Sequence, residues 1–165
     1  MRKTILASLA TIALSAVLVS ACNQEKEKMA EHGYTLSDES NQEFLNDNGS
    51  KDGVVKRPSG LQYRVVHAGS GKNVTSGNDM VTVTYKGWLI NGKVFDQTPP
   101  GQTATFPAGR LIPGWVEALS LMKEGDEWQL VIPSDLGYGA RGAGADIPPN
   151  QTLVFDMKLV AVNAP

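Results

Sequence analysis

The chain has 165 residues, which leaves room for one domain of ordinary size with an appendage and excludes two domains of typical size. Its hydrophobic fraction of 41% and charged fraction of 19% are those of a globular protein and exclude a fibre or a multi-span membrane protein. The formal net charge of -2 gives no electrostatic reason to expect a nucleic-acid partner, which would need a basic patch.

The first 21 residues have the order of a secretory signal peptide. A basic start at Arg2 and Lys3 precedes an uncharged apolar run from Ile5 to Val19, and small residues then lead to Cys22. The apolar run is too short for a comfortable transmembrane helix. We therefore predict a signal peptide over residues 1–21. The alternative is a signal anchor that stays in the membrane.

Cys22 is predicted to be a lipidation site. The sequence Val19-Ser20-Ala21-Cys22 resembles the bacterial lipobox, in which the cysteine is acylated and begins the mature protein. It is the only cysteine, so it has no intramolecular disulfide partner; the alternative is a chance cysteine after a plain signal peptide. Several acyl chains, at about 0.8 kcal/mol per buried methylene, would anchor the chain to a membrane.

The residue after Cys22 bears on the location in the cell envelope. Many Gram-negative lipoproteins that stay in the inner membrane have an aspartate there, and this chain has Asn23. We therefore expect a lipid-anchored protein of the bacterial envelope, with the outer membrane favoured. A periplasmic and a surface-exposed position both stay open.

Residues 22–56 are predicted to form a flexible acidic tether. From Asn23 to Val55 there are eight acidic residues against three lysines, with few large apolar side chains. A segment of this composition cannot bury enough surface to offset its ordering entropy. The one element we expect in it is a transient helix near Ser37 to Leu45.

Residues 57–165 contain the elements of one α+β domain. Asn91-Gly92 favours a two-residue hairpin, because both positions tolerate positive φ. Pro113 to Met122 is the predicted helix, since proline suits a first turn and apolar residues recur at helical spacing. Strands are predicted at Leu61 to Val65, Met80 to Trp88, Lys93 to Phe95, Glu127 to Ile132 and Leu153 to Ala161.

The sequence offers no nucleophilic or metal-dependent site. Gly69-Ser70-Gly71-Lys72 is half of a phosphate-binding loop, but Val66 stands where the full pattern needs a glycine. His32 and His67 have no second metal ligand at useful spacing, and His67 is interpreted as a surface residue at a strand end. We therefore expect no metal and no cofactor.

Five phrases in the globular part resemble the FKBP-type peptidyl-prolyl isomerases in order and interval. The resemblance covers residues 57–162, and the tether and the PSDLGYG stretch are most similar to the bacterial macrophage infectivity potentiator group. The phrases are VTYKGW (83–88), GKVFD (92–96), LIPGW (111–115), LGYG (136–139) and IPPNQTLVF (147–155).

The resemblance implies a fold and an activity. The expected fold is a five-stranded antiparallel sheet wrapped around one short helix, with an apolar pocket between them. The expected activity is cis–trans isomerisation of X–Pro bonds in exported or unfolded polypeptides, without a cofactor. Proline-containing polypeptides are the expected partners, and rapamycin-like compounds are the expected inhibitors.

Carried over position by position, the resemblance assigns ten residues to the pocket. Trp115 would form its floor, and the Tyr138 hydroxyl and the Ile112 amide would bond the substrate carbonyl. Three residues are implied as catalytic: Tyr85, Asp96 and Tyr138. Seven are implied as substrate-binding: Phe95, Phe106, Leu111, Ile112, Trp115, Ile147 and Phe155.

Periodicity alone would give these residues a plainer interpretation. It assigns Phe95, Trp115 and Phe155 to the core, and Asp96 to a turn at the end of a hairpin. Only the family resemblance implies that the edges of these side chains face a pocket. Tyr138 is the hardest to explain as packing, because it lies in a loop rich in glycine and proline.

Some positions depart from the small eukaryotic members of the family. Rim residues that they carry match Ala104, Ala143 and Asp146 here, so substrate preference and drug affinity are expected to differ. A long helical dimerisation segment is not recognisable in the tether, so dimerisation is not implied and a monomer is favoured. Two other functions stay open: a non-catalytic chaperone that binds proline segments, and a structural lipoprotein.

Overall fold

A computed structural model describes residues 33–163 of the chain. The predicted signal peptide, Cys22 and the start of the predicted tether lie outside the described residues. Within residues 33–163, no helix has both the length and the apolar character needed to cross a membrane.

The described part is a single antiparallel sheet with two helices. The strand order is β1-β2-β6-β7-β3-β4, and β5 pairs with β3 outside this path. The helices are α1 (Asp38–Gly49) and α2 (Pro113–Leu121). The strands are β1 (Val54–Lys56), β2 (Gln62–His67), β3 (Met80–Leu89), β4 (Val94–Gln97), β5 (Ala104–Pro107), β6 (Glu127–Ile132) and β7 (Leu153–Asn163).

The α+β class is confirmed, with two strands more than predicted and a folded helix, α1, where only a transient one was expected. The missed strands are β1 and β5, which have three and four residues and are too short for alternation to be recognised. His67 ends β2 and is exposed, as predicted.

Helix α2 lies against the inner face of the sheet. It begins with Pro113, as predicted, and buries Trp115, Ala118 and Leu119. Gly114 permits close approach to β6, because a Cβ there would lie 2.6 Å from Cγ2 of Ile132. The principal core forms between this helix and alternate residues of β3, β6 and β7.

The β3–β4 hairpin forms at Asn91-Gly92 with a longer turn than predicted. The Gly92 amide donates to the Leu89 carbonyl oxygen at 2.8 Å, and the Leu89 amide donates to that of Lys93 at 2.9 Å. Only Gly92 of the Asn-Gly pair has positive φ, at 83°. The turn therefore includes Ile90 and resembles the three-residue loops that end in a left-handed glycine.

A second apolar group lies on the outer face of the sheet. Leu130 and Phe155 belong to the inner core, so Val131 and Val154 next to them point to the opposite face. These two valines pair across β6 and β7, and Val154 also pairs with Trp88 of β3. All three outer residues are buried, so the outer face must be covered there.

We infer from its attachments that helix α1 provides that cover. Ser37 caps it, accepting a hydrogen bond from the Ser40 amide at 3.2 Å. Its Phe44 is only 3% exposed. Near its C-terminal end, Asn48 is bonded to Gln62, which pairs with Val131 across β2 and β6. Near its N-terminal end, Asn41 is bonded to Thr152, two residues before Val154.

The prediction of a flexible tether as far as residue 56 was therefore wrong for α1 and β1. The transient helix expected near Ser37 to Leu45 is a helix of the folded domain, extending to Gly49. Average composition concealed this, because one buried aromatic ring and two buried amides, Asn41 and Asn48, are enough to dock a polar helix.

Replacement of Phe44 tests whether α1 is docked in solution. We expect Phe44→Ala to lower the free energy of unfolding by about 3 kcal/mol, because it removes a buried ring. Urea unfolding followed by tryptophan fluorescence measures this loss. Glu43→Ala, at the exposed neighbouring position, is the control. Equal stability of the two variants would mean that α1 is a free tether after all.

Candidate active site

The sequence-predicted residues meet around one cavity of about 200 Å³. It is lined by nine of the ten residues assigned to the pocket. They are Tyr85, Phe95, Asp96, Phe106, Leu111, Ile112, Trp115, Tyr138 and Phe155.

The fold brings these residues together from distant parts of the chain. Strand β3 contributes Tyr85, and β7 contributes Phe155. The hairpin strand β4 carries a phenylalanine and an aspartate, and β5 carries Phe106. Helix α2 and the two residues before it supply Trp115 with its aliphatic neighbours. Tyr138 comes from the loop between β6 and β7.

Ile147 does not line this cavity. Its side chain is buried in the principal core, and its backbone pairs with Ala143 in both directions, at 2.8 and 3.2 Å. The three rim positions, Ala104, Ala143 and Asp146, are also absent from the lining. Ala104 lies in β5 opposite Val83, and Asp146 forms an ion pair with Lys93 at 3.0 Å.

Trp115 is the centre of an aromatic cluster. Its ring centroid lies 5.0 Å from that of Tyr85 and 5.1 Å from that of Phe155, with planes at 81° and 79°. Phe106 contacts it at 6.5 Å, and Phe95 meets Phe155 at 5.5 Å. Each contact is edge to face, the arrangement that the ring quadrupoles favour. The rings therefore fix one another and give the cavity rigid walls.

Gly87 makes this ring packing possible, and the sequence analysis did not single it out. A Cβ at this position would lie 2.6 Å from Cε1 of Phe155 and 2.7 Å from Cζ of Phe95. Both distances are far below van der Waals contact. A glycine inside an alternating strand is a signal of close approach and could have identified it.

The polar part of the site is a tyrosine bonded to a carboxylate. The Tyr85 hydroxyl donates to Oδ2 of Asp96 at 2.7 Å. Burial, together with this hydrogen bond and the carboxylate charge, raises the pKa of Tyr85 above its usual value. Burial and the charge of Asp96 also raise the pKa of Tyr138. Both hydroxyls are therefore protonated at neutral pH, and that of Tyr138, which is 41% exposed, can meet a ligand.

The arrangement is suited to binding a small apolar group. Within residues 33–163, no group of three or more His, Cys, Asp or Glu side chains could hold a metal ion. The lining is mostly aromatic and aliphatic, with hydroxyl and carboxylate groups at a few points. Such a cavity can grip a small apolar ring and hydrogen-bond the backbone beside it.

Comparison with known proteins identifies the family. The model described as FKBP-type peptidyl-prolyl cis-trans isomerase matches residues 71–160, which is 90 of the 165 residues. The chain belongs to this family. The model of the domain amino-terminal to FKBP-type isomerases matches residues 5–65, so it covers the whole of the predicted tether.

Curated bacterial proteins align with most of the chain. The chain is 46% identical over 147 residues to the probable FKBP-type peptidyl-prolyl cis-trans isomerase FkpA of Neisseria meningitidis serogroup B, covering 86% of this chain and 54% of that one. It is 49% identical over 120 residues to the outer membrane protein MIP of Legionella longbeachae, covering 72% and 51%. The chain thus spans about half the length of these relatives.

A solved isomerase structure agrees with the fold. The crystal structure of a peptidyl-prolyl cis-trans isomerase from Pseudomonas syringae pv. tomato superposes with a TM-score of 0.71 at 38% identity. The superposition covers 76% of this chain and 92% of the other.

Replacement of Gly87 tests the aromatic packing of this FKBP cavity. We expect Gly87→Ala to destabilise the protein by about 1–3 kcal/mol, because the added methyl group must displace two packed rings. We also expect it to weaken the binding of a proline peptide, measured by titration calorimetry. Gly92→Ala is the control for peptide binding: its positive φ makes this substitution strained too, but the added methyl group meets nothing within 4 Å. Equal peptide binding by the two variants would contradict the role given to Gly87.

Proposed function

We propose that the chain is a peptidyl-prolyl cis–trans isomerase that acts on X–Pro bonds of exported or unfolded proteins. The observation that carries this proposal is the aromatic cavity, which gathers nine residues of the family pattern around one space. Membership of the FKBP family supports the same activity.

The chemistry of the reaction fits a cavity of this kind. Amide resonance sets a barrier of about 18–20 kcal/mol to rotation, and the uncatalysed exchange at X–Pro takes tens to hundreds of seconds. The twisted transition state has lost resonance and carries less charge separation than the planar amide. An apolar cavity that excludes water therefore favours the transition state over the ground state, which is the requirement for rate enhancement.

Each part of the cavity has a proposed role. Trp115 forms the floor on which the proline ring rests, and the neighbouring aromatic rings form the walls. The protonated Tyr138 hydroxyl and the Ile112 amide donate hydrogen bonds to the substrate carbonyl. Asp96 holds Tyr85 in place and puts the one carboxylate at the edge of the cavity. No group needs to become covalently bonded to the substrate.

An isomerase assay on the purified protein tests this function. We expect acceleration of X–Pro isomerisation in a proline tetrapeptide, and a loss of about tenfold in kcat/KM for Asp96→Ala, equivalent to about 1.4 kcal/mol of transition-state stabilisation. Asp146→Ala is the control, because this exposed aspartate does not line the cavity. We also expect rapamycin to inhibit the protein.

The non-catalytic alternative predicts a different result in the same assay. A chaperone that only holds proline segments would bind the peptide without accelerating its isomerisation. Wild type and Asp96→Ala would then be indistinguishable in rate, and the proposed enzymatic function would be wrong.

We propose further that Cys22 is acylated and anchors the protein to the outer membrane as a monomer. The supporting features are the basic and apolar start of the chain, the small residues before Cys22 and Asn23 after it. One relative is named an outer membrane protein. Helix α1 has only 12 residues and buries Phe44, which leaves little apolar surface for a helical dimer.

Removal of the thiol tests the anchor. We expect wild type to incorporate labelled palmitate and to sediment with outer membranes, whereas Cys22→Ala does neither. Mass spectrometry of the mature N-terminus identifies the first residue and its acyl chains. A wild-type protein that is cleaved, unacylated and released in the soluble fraction would show that the anchor is absent.

A further inference from the structure

We propose that helix α1 positions the active-site loop through Asn41. This loop comprises residues 133–152 and carries Tyr138. The inference rests on the proposed function, because it gives a residue outside the cavity a part in the reaction there. Asn41 contacts none of the reacting groups and is a positioning residue.

Asn41 bonds the last two residues of the active-site loop with both ends of its amide. Its Oδ1 accepts a hydrogen bond from the Thr152 backbone amide at 2.7 Å, and its Nδ2 donates to Oε1 of Gln151 at 3.2 Å. The same Nδ2 donates to the Ser37 carbonyl oxygen in the first turn of α1, at 2.9 Å. Asn41, Gln151 and Thr152 are all buried, so water does not readily replace these bonds.

The Gln151 side chain makes two further hydrogen bonds to the backbone. Its Nε2 donates to the carbonyl oxygen of Leu36, just before α1, at 3.0 Å. It also donates to the carbonyl oxygen of Pro149, in the loop, at 2.8 Å. The side chain of Gln151 thus ties the chain that enters α1 to the C-terminal end of the active-site loop.

Asn150 lies between Pro149 and Gln151 and connects this hydrogen-bonded segment to the residue next to Tyr138. It is the only non-glycine residue in the described range with positive φ, at 61°. Its amide donates to the carbonyl oxygen of Gly139 at 2.9 Å, and Gly139 directly follows Tyr138. A left-handed conformation costs energy in a residue with a Cβ, although less in asparagine than in most residues, so its bonded neighbours help to hold it. The bonds of Pro149 and Gln151 fix both sides of Asn150.

The other end of α1 offers a matched comparison. Asn48 donates to Oε1 of Gln62 at 2.8 Å, and Gln62 donates back to the Leu45 carbonyl oxygen at 2.8 Å. Asn48 and Asn41 have the same exposure, 5%, and lie on the same helix. Gln62 belongs to β2, which contributes no residue to the cavity. Loss of Asn48 therefore loosens α1 without removing a hydrogen bond to the active-site loop.

Two measurements on the full chain separate positioning from simple docking. We expect Asn41→Ala to lower kcat/KM by about tenfold and Asn48→Ala by less than about twofold, since small displacements of a binding group are costly. We expect amide hydrogen exchange over residues 137–150 to accelerate in Asn41→Ala alone. In a Tyr138→Phe background, Asn41→Ala should cost much less, because the group it positions is already absent.

Each outcome decides the question. Equal losses of activity in the two asparagine variants, or unchanged exchange over residues 137–150 in Asn41→Ala, would overturn the proposal. If Asn41→Ala does not fold, Gln151→Ala removes the bonds to Leu36 and Pro149 and should give the same selective loss. If wild type is inactive, the proposed function fails, and the exchange comparison still tests the positioning.

Discussion

The edge-to-face contacts of Trp115 are the constraint on which the rest of the site depends. The Trp115 side chain projects from α2 and packs edge to face against Tyr85 and Phe155 of the sheet. The contacts require α2 to lie close to β6, which Gly114 allows, and the rings of Phe95 and Phe155 to pass over β3, which Gly87 allows. Two glycines without side chains thus determine the shape of an aromatic cavity. Larger residues at either position would separate the layers that meet there.

The sequence predicted the long elements well because their patterns are strong. Helix α2 and strands β3, β6 and β7 have residues that are buried on one side over several turns or repeats, and periodicity detects this directly. Helix α1 was misjudged for the opposite reason. Its attachment depends on Phe44 and two asparagines in an otherwise polar segment, and the partners of those asparagines lie elsewhere in the chain.

The candidate site, too, was predicted only in part from sequence patterns. Periodicity would have placed Trp115 and Phe155 in the core, and in part they belong there, since both are buried members of the core cluster. Only the family resemblance assigned them a cavity edge, and the fold does bring them to one cavity. Ile147 was assigned to the pocket by the same family resemblance, yet its side chain lies in the core. A match to a sequence motif does not specify where each side chain points when the loop that carries it has its own conformation.

We propose that the proline ring of the substrate binds against Trp115 while the X–Pro bond isomerises. Within residues 33–163, the indole N–H groups of Trp115 and Trp128 are both buried without a hydrogen-bond partner, which makes Trp128 an internal reference for Trp115. An NMR titration with a proline tetrapeptide observes these two resonances and, in the same sample, the cis and trans signals of the peptide. If proline binds against Trp115, we expect a selective shift of the Trp115 resonance, together with exchange between the cis and trans signals. Peptide binding that leaves Trp115 unshifted, or that produces no exchange, would contradict this proposal.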